Sequence, residues 1–275
     1  MKTKVNEIII RTRRRLFGPN IGNNISAFQG NGIDFAELKE YTYGEDVRKI
    51  NWKVTAREQK PYINVFNEER ELNIVVGFLM GGSIYFGSRR QKQEVMAEIL
   101  ALLGFSALKN SDRVTNIFYD TDVVRWFKPT KSMNTIHAAL EYALDTEVLG
   151  RRSDLQGFAD FLLRSIRQRS IVILLGDFYE EADLSYLGAR HELYAVTVRD
   201  PFEENPAFWG ETELMDPETM ARFSLEASGA TRAAWRKWLK AHDEKFALHC
   251  TKHRIRHTKI YTDEDPFLKL RELMK

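Results

Sequence analysis

Chemistry in this chain would have to come from a few groupings of residues. His249, Cys250, His253 and His257 include three histidines spaced four apart, a spacing that lines one helix face with soft metal ligands. The helix is predicted to end near Thr251 and the chain to resume as a strand, which scatters them over ordinary polar surface. Asp177, Glu180, Glu181 and Asp183 follow the apolar run "IVILLG". They could be hard oxygen donors for a divalent cation, or the acidic start of a helix, where carboxylates meet the helix dipole favourably. His191-Glu192 lacks the second histidine of a zincin, and Gly30-x-Gly32 lacks a third glycine or a Gly-Lys-Ser/Thr. No Gly-x-Ser-x-Gly elbow is present. No nucleophile and base come together, so the chain is predicted not to be an enzyme.

The elements that must position these residues are those of an ordinary globular chain. Its 275 residues are 43% hydrophobic and 29% charged, enough to bury a real core. Lys and Arg (41) nearly balance Asp and Glu (39), so no global field calls for nucleic acid, and none is expected as a partner. The basic excess is local. Arg11, Arg13, Arg14 and Arg15 admit a weak membrane-surface contact, against the plainer reading of a solvated face or docking strip. One cysteine excludes an internal disulfide framework and suits a reducing compartment. No apolar run reaches the roughly 18 to 20 residues of a spanning helix, and the N-terminus has no cleavage-site pattern. The expected compartment is the cytoplasm.

Residues 2–16 read as a helix with Val5, Ile8, Ile9 and Leu16 on one side. Residues 26–70 read as mixed, and "PYINVFNEE" alternates like a strand. From Glu71 the rhythm becomes strand-helix-strand. "NIVVGFL", "SIVILLGDF" and "ELYAVTVRD" are continuous apolar runs, as strands covered on both faces require. Ser88 and Gln91 have the spacing of a capping box for the next helix. Helical patterns follow near 134–144, 154–168 and 230–248, with a closing strand "IRHTKIYT" and helix "PFLKLRELM". This alternation predicts an α/β fold with a doubly wound, mostly parallel sheet over residues 71–275. Residues 1–70 make a small N-terminal segment of mixed structure packed on it.

Residues 32–71 are specific enough to carry a resemblance. The segment holds "Y-x-x-G-E-D-x-R-x-I-N-W", then "T-A-R", then "E-R-E" before a strand: Asp34, Phe35, Glu37, Tyr41, Gly44, Glu45, Asp46, Arg48, Ile50, Asn51, Trp52, Thr55, Ala56, Arg57, Glu69, Arg70 and Glu71. It resembles the signature of the bacterial family called domain of unknown function fifty-eight. Trp52 and Tyr41 are read as anchors packing the segment onto the sheet, and Asp46, Arg48 and Arg57 as ion pairs holding it.

The resemblance implies a von Willebrand factor A-like domain behind the signature. It also implies company: a MoxR-type AAA+ ATPase, and a client protein to be matured or activated. Type A domains bind a divalent ion through Asp-x-Ser-x-Ser at the first strand, a threonine, and a later aspartate. Aligned on them, Leu79 stands at the first aspartate, Gly81 and Ser83 at the serines, and Asp177 at the later aspartate; Thr130 and Thr135 lie near without matching spacing. Leucine offers no ligand, so the adhesion site is predicted to be degenerate and no cofactor is expected. The alternative is a divalent-metal-dependent protein-binding module, with Mg²⁺ as one such ion, built on Asp177 and its neighbouring acids. In the first reading Met80, Gly81, Gly82 and Ser83 form an apolar partner-binding surface, with Asp177 on its polar rim.

Overall fold

A computed structural model describes residues 2–17, 35–66 and 71–274. The chain divides into two units, Met1–Phe28 with Asn73–Lys275, and Gln29–Leu72. The N-terminal helix α1 (Lys2–Phe17) therefore belongs with the larger unit, whereas the sequence reading draws its boundary after residue 70, with this helix on the signature's side.

In the smaller unit, strand β1 (Phe35–Glu40) pairs antiparallel with β2 (Tyr62–Phe66). A short 3-10 turn at Val47–Lys49 and helix α2 (Trp52–Glu58) lie between them. Signature residues build this connection locally. Gly44 takes φ +104°, which a side chain would strain. Glu45 accepts from the Thr42 amide at 2.9 Å, Asp46 caps the 3-10 turn and Asn51 caps α2. Thr55 Oγ1 accepts from the Tyr62 amide at 3.0 Å. The expected anchor Trp52 is instead 70% exposed, and Tyr41 is half-buried. Nor do the expected ion pairs brace the segment. Arg48 turns back on Asp46 two residues away, and Arg57 lies near its neighbour Glu58, all on the surface. Short sequence separation wins because long exposed side chains find the nearest opposite charge with least entropy cost. Asp34, Glu69 and Arg70 of the signature, with Gly30 and Gly32, lie outside the described residues, and Glu37 falls within β1.

The larger unit is built on β3 (Asn73–Leu79), β4 (Arg113–Tyr119), β5 (Val123–Thr130), β6 (Ile171–Gly176), β7 (Glu192–Arg199) and β10 (Arg256–Tyr261). Their order is β10-β7-β6-β3-β4-β5, parallel throughout except for β5. This is the mainly parallel α/β sheet expected. Strands β3, β6 and β7 are buried almost end to end, as their unbroken apolar runs require. Alternate residues serve opposite faces. On one face Phe78 meets Phe118, which meets Tyr142 of α4 (Met133–Asp145). Helix α3 (Lys92–Lys109) covers this face, and α1 packs on α3 through Val5, Ile8, Ile9 and Leu16, all buried as expected. The other face packs Val75, Leu79 and Leu174 against α5 (Leu155–Ser165), α6 (Ser185–Arg190) and Cys250 of α8 (Gly229–Lys252). Gly77 is small because Phe158 and Leu174 fill the space a side chain would need.

Two short strands absent from the central sheet, β8 (Gly210–Met215) and β9 (Arg222–Ala227), form a hairpin after α7 (Pro201–Glu204). Helix α9 (Pro266–Leu273) closes the unit. Among the described residues no helix is long and apolar enough to cross a membrane. On α1, Arg11 pairs with buried Glu98 at 2.9 Å and Arg15 with Asp265, while Arg13 and Arg14 are exposed.

Candidate functional site

The chain runs from β3 outward to β4 and β5, then crosses back to place β6 on the other side of β3. Such a switch in strand order opens a crevice at the carboxyl ends of the two strands. Here those ends are Leu79-Met80-Gly81-Gly82-Ser83 and Gly176-Asp177.

The Lys92 ammonium fills the centre of this crevice. It is wholly buried and donates to Asp177 Oδ2 at 2.9 Å and Glu203 Oε1 at 2.7 Å. Lys92 opens helix α3, the end where the macrodipole favours an anion, so the two carboxylates offset an unfavourable placement. Ser83 adds a side-chain hydrogen bond to Asp177. Burial alone would raise the pKa of Asp177; Lys92, Ser83 and Arg199 together hold it below the usual carboxylate range. Tyr179 lies between the cations, its ring 4.0 Å from the Arg199 guanidinium and 5.3 Å from the Lys92 ammonium. Its hydroxyl donates to Glu203 at 3.1 Å, and burial, then Glu203, pushes its pKa up. Buried Arg199 donates to the Asp177 carbonyl and to Asp243, each at 3.2 Å. Lys92, Asp177 and Glu203 are thus closed on one another, whereas Nε and Nη1 of buried Arg199 have no hydrogen-bond partner among the described residues.

Above them lies the β8–β9 turn. Pro217 accepts from the Gly150 amide at 2.8 Å, and the Gly82 amide donates to Arg151 at 2.8 Å. A side chain on Gly82 would stand 2.0 Å from the Pro217 oxygen, and one on Gly81 2.8 Å from Glu218 Oε1. The expected docking surface is therefore corrected. Met80 has no exposed area, Gly81 and Gly82 are buried, Ser83 is half-buried, and Asp177 is 4% exposed. Loops default to the surface, but this turn is roofed by a connection from much later in the chain, which no local pattern announces.

The acids of the Mg²⁺ alternative do not converge. Asp177 faces Lys92, Glu180 accepts from Ser153 Oγ and the Leu155 amide, Glu181 pairs with Lys245, and Asp183 accepts from the Ser185 amide. Among the described residues no group of three or more His, Cys, Asp or Glu gathers to hold a metal. Thr130 pairs with Val114 at the far end of the sheet, and Thr135 sits in α4. His249 and His253 share the end of α8, with ring centroids 4.7 Å apart, but Cys250 points into the core and His257 contacts Thr197 from β10. His191 accepts from the Ser170 amide. Ser88, expected to cap α3, instead donates from its amide and hydroxyl to Asp200, at 2.9 and 3.0 Å.

Glu218 gives the roof a pH dependence. Burial first, then the charges of Asp177 and Glu180, raise its pKa to about 7, against a bond from Ser153. A carboxyl raised in the folded state stabilises below its unfolded value near 4.5 and loses that contribution as pH rises through about 7. Between those limits stability should fall by about 1 to 2 kcal/mol, allowing for solvent screening. Urea titrations across this range check it: Glu218→Gln should flatten the slope, and an unchanged slope would refute the assignment.

The chain matches the model of the family described as "Protein of unknown function DUF58" over residues 37–245, and belongs to that family. It is 25% identical over 226 residues to uncharacterized protein Rv1480 of Mycobacterium tuberculosis (strain ATCC 25618 / H37Rv), covering 79% of this chain and 71% of the relative. The same values hold for uncharacterized protein Mb1516 of Mycobacterium bovis (strain ATCC BAA-935 / AF2122/97). Among solved structures, conserved hypothetical protein BatB from Bacteroides thetaiotaomicron aligns with a TM-score of 0.48 at 8% identity, over 74% of this chain and 97% of that one. An aerotolerance-related membrane protein from Bacteroides fragilis NCTC 9343, carrying multiple mutations to serines, aligns at 0.45 and 10% identity, over 74% and 98%.

Proposed function

We propose that the larger unit is a von Willebrand factor A-like domain with a degenerate adhesion site, and that the chain is a non-enzymatic partner of a MoxR-type AAA+ ATPase, helping to mature or activate a client protein. The observation that carries this reading is Lys92. Its ammonium stands against Asp177, the aspartate that aligns with a type A cation ligand, so a fixed internal charge takes the role an exchangeable ion would have. The single, buried Cys250 supports a cytoplasmic setting.

With the switch-point crevice roofed, the partner surface is assigned to the signature's exposed face. Tyr43, Arg48, Trp52 and Arg57 stand in solvent there, and Trp, Tyr and Arg are the types that dominate binding energy in interfaces. The test is sedimentation of the full chain with the purified MoxR-type ATPase of its host. A saturable complex is expected, weakened at least tenfold by Trp52→Ala. A calorimetric titration with Mg²⁺ or Mn²⁺ alone should give no saturable binding below the millimolar range. Absence of the complex with both proteins folded would sink the partnership. Saturable metal binding abolished by Asp177→Ala would restore the cation-dependent alternative.

A further inference from the structure

The β8–β9 hairpin forms a two-stranded sheet of its own. Between it and the first turns of α8 runs a groove of about 630 Å³. Leu214, Phe223 and Leu225 form one wall, Trp235 and Trp238 the other, with Phe202 below. The strand register sorts the charges. Leu214 is paired with Phe223 and Thr212 with Leu225, so these share the groove face, and the alternate residues Glu211, Glu213 and Glu226 point to the other side. Two ionic side chains line the groove. Glu203 is held by Lys92 and by Tyr179. Arg232 has no carboxylate partner among the described residues: its guanidinium rests 3.3 Å over the Trp209 ring, and its buried Nε has no acceptor. Trp238 on the same wall is 49% exposed, while Arg236 of α8 lines a different cleft with Leu239 and Asp243.

We infer that this groove is a docking site for an acidic amphipathic segment of a partner protein, whose apolar side chains enter between hairpin and helix while a carboxylate meets Arg232. Shape favours a peptide, because a concave slot between a ribbon and a helix takes one row of side chains, whereas a flat bilayer surface would leave it unfilled. Charge sets the sign of the partner. A guanidinium already desolvated on one side gains a strong charge-assisted bond from a carboxylate and nothing from a neutral or basic segment. The inference goes beyond the ATPase reading and does not depend on it, since any protein presenting such a segment would serve.

The test is selection of a random 16-residue peptide library on the full chain, followed by titration of the recovered peptides through tryptophan fluorescence. Peptides enriched in Leu, Ile, Phe or Trp together with Asp or Glu are expected. Trp238→Ser should weaken them at least tenfold, and Arg232→Glu should reverse the preference toward Lys and Arg. The inference is overturned if selection enriches nothing, if recovered peptides carry no acidic bias, or if both variants bind as before. Quenching by vesicles containing phosphatidylglycerol, with no peptide recovered, would assign the groove to a membrane surface. Concentration-dependent self-association lost in Trp238→Ser, again with no peptide recovered, would assign it to a second copy of the chain. Each of these would replace the peptide.

Discussion

Lys92→Met is expected to lower the free energy of unfolding by about 3 to 5 kcal/mol, the range for breaking a buried ion pair from one side. Methionine nearly matches lysine in volume, so the loss would not come from a cavity. It would come from Asp177 and Glu203, which the substitution leaves close together without their shared cation. Asp177 has almost no access to water, and an isolated buried carboxylate either takes up a proton or pulls its surroundings apart. Two further outcomes separate this account from simple disruption. The penalty should shrink toward low pH, where the orphaned carboxylates are protonated. Neutralising them in Lys92→Met/Asp177→Asn/Glu203→Gln should recover most of the loss, because a matched apolar or neutral set can replace a buried pair at little cost. Urea denaturation gives both numbers, and a loss below about 1 kcal/mol for Lys92→Met would show that the ammonium is not what holds the crevice.

Gly82→Ala carries the second large effect. The added methyl would stand 2.0 Å from the Pro217 carbonyl oxygen, which is backbone and cannot swing aside as a side chain would. Overpacking of this kind costs about 1 to 3 kcal/mol or more, and the chain can relieve it only by lifting the β8–β9 turn. The expected result is a lower denaturation midpoint together with faster amide exchange in residues 216–220 and around Gly150, whose amide bonds to Pro217. Exchange across β3, β6 and β7 should stay slow. If those three strands loosen as much as the turn, the roof and the sheet are one cooperative unit and the separable-roof account fails. Gly81→Ala is the milder companion, since its methyl would meet the Glu218 carboxylate and Ser153 hydroxyl, both side-chain groups able to move.

The sheet was legible because its strands are buried on both faces, and burial writes itself as an uninterrupted apolar run. Helix α1 was legible for the complementary reason: one side only is covered, and Val5, Ile8, Ile9 and Leu16 mark it. The site was readable at Asp177 and at the turn that brings Ser83 to it, but not at its cations. Lys92 opens a helix two residues after an arginine pair, a place where a lysine ordinarily points into solvent. Nothing adjacent announces that Glu203, far along the chain, will close over it. Residues 222–227 carry no strand pattern, because β9 is exposed along most of its length and, among the described residues, pairs with β8 alone, so its two faces differ too little. Trp52 fails in the opposite direction. A tryptophan in a dense motif suggests burial, yet in this unit Asn51, Thr55 and Gly44 do the local folding work and leave the indole outside.

The strand order also imposes a sequence of events in time. Strand β3 pairs with β4, made soon after it, and with β6, which ends at Gly176. At a synthesis rate of roughly 5 to 20 residues per second, the ribosome needs about 5 to 20 s to pass from Leu79 to the end of β6. Throughout that interval β3, one of the two central strands of the finished sheet, is an edge: its amides and carbonyls on one side are unpaired and its side chains are among the most apolar in the chain. An edge of that kind is a template for pairing with another nascent chain. The same crossing that places a lysine and an aspartate face to face therefore makes the first half of this protein the part most in need of shelter while the second half is still being made.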